Sequence, residues 1–154
     1  MRAINLANYI INKSIDSKKP VSNLQLQKMI YFVNLYYFRL TGAFLLDGEQ
    51  FEAWQHGPVI PEVYREYATY GGLLIKDKKN SINLDSMIDS KQNKIEKGTV
   101  DLINDFILYL SKMDPWTLVD YSHRTGGAWY KAYNKDKIKV KISNELIKQE
   151  ANSK

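Results

Sequence analysis

Ala53-Trp54-Gln55-His56-Gly57-Pro58-Val59-Ile60-Pro61-Glu62-Val63-Tyr64 concentrates residue types that the rest of the chain uses sparingly. The sequence holds two His, three Trp and four Pro, and this stretch takes one, one and two of them. Gly57-Pro58 forces a turn, because glycine tolerates unusual φ while proline fixes φ and donates no N–H. Pro61 suits the first turn of a helix, where the missing donor costs little. Trp54 and His56 are thereby held at a strand-to-helix corner. Such a corner either carries chemistry or shapes the fold.

The flanks of this stretch read as a mainly helical chain. Ile4, Ala7 and Ile11 put one helix over 3 to 17. Ser22 is placed to cap a second helix, and Gln25 completes an S-x-x-Q capping box. That helix runs to about Thr41, with Gly42 as its stop. It is apolar almost all round, as a central helix should be. At 100° per residue Gln25, Lys28, Phe32, Tyr36 and Arg39 share one stripe of it. Either a neighbouring helix covers that stripe, or Lys28, Phe32, Tyr36 and Arg39 form a surface for a partner, since aromatic residues with arginine are typical interface anchors.

The segment from Phe44 to Trp54 reads as a hairpin turning at Asp47-Gly48. A third helix starts near Pro61, carries Ile60, Val63, Tyr64, Tyr67 and Tyr70 as its apolar stripe, and stops at Gly71-Gly72. Residues 76 to 92 are polar and weakly patterned; Ile82, Leu84, Met87 and Ile88 are the residues able to dock there. Ile103, Phe106, Ile107, Leu110 and Met113 give a helix over about 94 to 113. Asp114-Pro115 starts another through His123, and Gly126-Gly127 breaks it before Trp129, Tyr130 and Tyr133. Ile138, Val140 and Ile142 alternate with lysine, the period of a strand or extended edge. Ser143 caps a last short helix that frays at Ala151 to Lys154. The expected architecture is mainly α with a minor β element: about six helices and a small hairpin in one domain over 1–154, with its core over about 3–148.

Bulk properties narrow the function. A chain of 154 residues buries roughly 70% of its unfolded surface, so it needs no staple. The absence of cysteine removes disulfides, thiolate nucleophiles and cysteine-ligated metal, and fits a cytoplasmic protein. The N-terminus lacks the apolar stretch of a secretion signal, and no run approaches the ~20 apolar residues of a membrane span. The net charge of +5 comes from lysines at 76, 78 and 79, at 91, 94 and 97, and at 135, 137, 139 and 141. They are either solvated loops or a surface for nucleic acid or an acidic partner. Four arginines weaken the case for base-specific DNA reading.

Motifs that carry chemistry are scarce in the chain. Gly71-Gly72 and Gly126-Gly127 match neither a dinucleotide fingerprint nor a P-loop, so no cofactor is implied. His56 and His123 satisfy no metal-ligand spacing. Ser122 and His123 are adjacent on a helix and diverge by about 100°. The expected role of His123 is structural, bonded to a backbone carbonyl on a face shared with Trp116, Val119 and Asp120. His56 is expected to brace the turn across its own corner, and Trp54 to anchor the hairpin in the core. A small hydrolase-type enzyme using both histidines is the least favoured reading.

Three segments, spaced in order, resemble the Panacea domain family of bacteria and phages. Leu24-Gln25-Leu26-Gln27-Lys28-Met29-Ile30-Tyr31-Phe32 is similar to its L-x-K-L-L-Y-Y helix. The opening stretch is similar to its A-W-x-H-G-P-V-x-P-x-V-Y segment. Leu118-Val119-Asp120-Tyr121-Ser122-His123 with Trp129 is similar to its closing L-x-x-x-(T/S)-H and W. Asp120-Tyr121 departs from the Glu-Leu of many members. The resemblance spans about residues 24 to 133 and makes Trp54, His56, Gly57, Pro58, Pro61, Tyr64, His123 and Trp129 signature residues. It implies a helical domain that is not an enzyme and that neutralises, by direct binding, a protein toxin encoded by an adjacent gene. One such relative also delivers its toxin to a bacterial protease. Regulation of its own operon through nucleic-acid binding is the alternative. The oligomeric state is left open.

Overall fold

Helix α2 (Asn23–Thr41) is the element around which the others pack. It contacts α1 (Ala3–Asp16), α4 (Lys97–Ser111), α5 (Pro115–Ser122), α7 (Asn144–Asn152) and strand β2 (Gly57–Val59). The computed structural model describes residues 1–81, 84 and 95–153. Strand β1 (Glu52–Trp54), α3 (Pro61–Glu66) with a following 3₁₀ turn (Ala68–Tyr70), and α6 (Ala128–Ala132) complete the described elements. The class is mainly α with a minor β element, as the sequence implies.

Local chemistry sets the helix ends. Ser22 Oγ accepts the Gln25 N–H at 3.3 Å, and Gly42 (φ 77°) returns its N–H to Phe38 at 2.8 Å. Only half of the expected capping box forms. The Gln25 side chain instead donates to the carbonyls of Ser111 (3.2 Å) and Met113 (3.0 Å), tying α2 to the end of α4. Helix α1 has no cap of its own; the Glu49 carboxylate accepts the Ala3 N–H at 2.9–3.0 Å. Asp114 accepts the Trp116 N–H, and Pro115 opens α5. One contiguous core joins Leu6, Ile10 and Ile11 to Leu26, Met29, Ile30 and Val33, and to Ile103 and Ile107. Leu84 is buried; Ile82, Met87 and Ile88 lie outside the described residues.

The hairpin is displaced from where turn chemistry put it. Its strands are Glu52–Trp54 and Gly57–Val59, antiparallel, with Trp54 opposite Gly57 around Gln55-His56. Asp47-Gly48 does turn, with Gly48 at φ 76°, but its flanks find other partners. The N–H groups of Leu45 and Leu46 both donate to the Asn34 side chain, and that of Asp47 to the Met1 carbonyl. The predicted edge forms late in its segment. Ala53 donates to Val140 and Ile142 to Phe51, each at 2.8 Å, so Ile142 is buried while Ile138 is 86% exposed.

The C-terminal end is not frayed at Ala151. Helix α7 continues to Asn152 and buries Glu150 and Ala151. Glu150 accepts from the Tyr31 hydroxyl, the Arg124 guanidinium (2.7 Å) and the Ala128 N–H (3.2 Å). A carboxylate with three donors holds the helix that carries it. Among the described residues no helix is long and apolar enough to cross a membrane.

Candidate functional site

Lys28 organises the signature corner. It is fully buried, and its Nζ donates to the Pro58 carbonyl at 2.8 Å. Burial alone pushes its ammonium down to about 7, since no counter-charge offsets desolvation. It therefore belongs to the interior and is no part of a partner surface, contrary to the stripe reading. The helical wheel fails here because the Pro58 carbonyl of β2 and the Ser122 end of α5 lie against Lys28.

The same contact explains Gly57, whose φ of 110° few side chains adopt. A Cβ there would lie 2.5 Å from Ser122 Oγ and 2.6 Å from Lys28 Cε. Pro58 supplies the carbonyl, and Pro61 opens α3. Gln27 accepts the Ile60 N–H at 3.1 Å and donates to Asn23, which donates to the Tyr64 carbonyl. The polar side of α2 is thus consumed in aiming α3.

The aromatic signature residues sit differently from expectation. Trp54 is half-buried rather than a core anchor; its ring meets Tyr64 edge-on at 4.9 Å and its Nε1 donates to Glu52. Its carbonyl accepts Trp129 Nε1 at 2.7 Å. His123 lies flat on Trp129 (3.6 Å, 9°), which stacks in turn on Tyr133 (4.5 Å). His123 Nε2 is buried without a hydrogen bond, and among the described residues the ring is held by stacking on Trp129 where a bond to a backbone carbonyl was expected. Burial, then the nearby Lys28 and His56, lower its pKa against the pull of Asp120. Exposed His56 meets Trp116 edge-on at 5.2 Å, so it reaches across to α5 rather than across its own turn. Ser122 Oγ donates back to the Val119 carbonyl at 2.7 Å and not to His123, so the pair forms no nucleophile–base relay. Among the described residues no three His, Asp or Glu side chains converge on a metal position.

The second half of α2 faces outward into a groove of about 330 Å³ between α2, α4 and α5. Phe32, Tyr36 and Arg39 line one wall, Phe106, Tyr109 and Met113 the other, and Tyr121 and Arg124 close it. Tyr36 stacks on Phe106 at 4.7 Å, so α4 covers part of the stripe and leaves part open. Tyr109 and Tyr121 are 60% and 55% exposed. No acidic residue lines the groove. Sequence reasoning found the α2 wall and missed the other. The sequence reads Phe106 only as part of a helical pattern, and Tyr109, three residues on and exposed, is the available signal.

The family model described as antitoxin SocA-like, Panacea domain, matches residues 26–130. The chain is 34% identical over 129 residues to "Antitoxin SocA" of Caulobacter vibrioides (strain NA1000 / CB15N). That match covers 80% of this chain and 66% of the relative, a little under two thirds of the relative's length. No solved structure matches the chain.

Proposed function

The chain belongs to the SocA-like antitoxin family, the Panacea domain, and on that premise we propose that it neutralises a protein toxin by covering it. The relationship supports the class of function, and one observation supports its place: the groove between α2, α4 and α5. Aromatic rings with two arginines and no carboxylate are the composition of an interface centre. Phe32, Tyr36 and Arg39 on α2, with Tyr109 and Tyr121 opposite, are the proposed contacts. The toxin is the product of the adjacent gene, and occlusion is the mechanism. No side-chain relay or metal is needed for it.

Co-expression with the adjacent gene tests the reading. Growth should be rescued, and the two proteins should co-purify. A pulse-chase separates two modes of rescue: under occlusion the toxin persists in the complex, while under delivery to a protease it disappears. Rescue without any physical association would contradict binding as the mechanism.

A further inference from the structure

Five lysines and one acid lie between 131 and 141, next to the signature corner but apart from the groove. Lys135, Lys137 and Lys139 line one cleft of about 390 Å³ together with Trp54, Gln55, Tyr133 and Ile138. No carboxylate lines it, and among the described residues none of the three ammonium groups is in an ion pair or hydrogen bond. Positive charge is concentrated in the cleft lining, and Asp136 is the one acid in the same run of sequence.

The surroundings select the partner. Two aromatic residues and an isoleucine that is 86% exposed share the cleft with the lysines. Lys139 takes a left-handed backbone (φ 57°), where the loop turns into the edge paired with β1. Lysines beside aromatic and apolar surface suit a chain that carries phosphates and exposes unpaired bases. A duplex hides those bases, and base-specific duplex reading favours arginine, which the cleft lacks. We propose that this cleft binds single-stranded nucleic acid through its phosphates, without sequence preference and independently of the toxin-binding groove.

The test uses the full chain and a fluorescein-labelled oligo-dT probe in an anisotropy titration. Three phosphate contacts predict a slope of log K against log salt near −2 for a single strand, or roughly a twenty-fold weakening between 50 and 200 mM salt. The Lys135→Gln/Lys137→Gln/Lys139→Gln variant should lose at least ten-fold in affinity and flatten the slope. Arg39→Ala, in the groove, should leave probe binding unchanged. All three sites are exposed, so folding of the variants is checked directly by circular dichroism. Absence of binding at 50 mM salt would overturn the proposal, as would equal binding by the triple variant. Loss of toxin affinity in the triple variant, with no oligonucleotide binding by the parent, would assign the face to an acidic protein partner and also overturn it.

Discussion

The two halves of α2 use the same stripe in opposite ways. Lys28, near the start, is buried and spends its charge on the Pro58 carbonyl. Phe32, Tyr36 and Arg39, further along, line an open groove. Periodicity places all four on one face. What separates them is what lies above: Pro58 of β2 and Ser122 of α5 close over Lys28, while a groove between α4 and α5 is left over the second half. Lys28, Gln27, Asn23 and Ser122 at the corner are satisfied inside the fold, whereas aromatic residues at the groove stay partly uncovered. The corner therefore reads as scaffold and the groove as display.

The sharpest way to break this division is Gly57→Ala. The added Cβ meets Ser122 and Lys28 inside contact distance, at a φ that disfavours alanine. Overpacking and backbone strain together should cost about 3 kcal/mol or more, measured by urea unfolding. A neutral outcome would mean that the corner is looser than its geometry.

Next in size is a pH effect. Lys28 is depressed to about 7 in the folded state from an ordinary 10.5. Below pH 7 both states hold the proton and the burial penalty is complete. Between 7 and 10.5 the unfolded chain holds more protons, so stability rises with pH. The gain from pH 7 to 9 should be about 2 kcal/mol. Lys28→Met should flatten that rise; an unchanged profile would assign it to another group.

At the groove the expected signs are reversed. Arg39→Ala and Tyr109→Ala should leave stability within about 0.5 kcal/mol, since both side chains are exposed. Each should weaken toxin binding about ten-fold, read by calorimetry. The smallest effect is at the corner's rim. Trp116→Ala removes the edge contact to His56 from a half-exposed ring and should cost about 1 kcal/mol, with toxin affinity unchanged.

What the sequence made legible was local. Ser22, Gly42 and Asp114-Pro115 set helix ends with side chains and backbone that lie within a few residues, so they read correctly. The hairpin did not, because Asp47-Gly48 specifies a turn and not its partners; Asn34 and Met1 took the donors that a strand pair needed. Lys28 was misread because its acceptor is thirty residues away on another element. Glu150 carries no local signal, since Tyr31 and Arg124, which hold it, belong to α2 and the α5 end. The order of signature segments was visible, but not that one buried lysine joins the first to the second.

Hydrogen exchange on this chain, free and bound to the product of the adjacent gene, tests the division most directly. New protection is expected over residues 32–39, 106–113 and 118–124, with exchange over 52–64 unchanged. Protection confined to 52–64, with the groove exchanging as in the free protein, would contradict it.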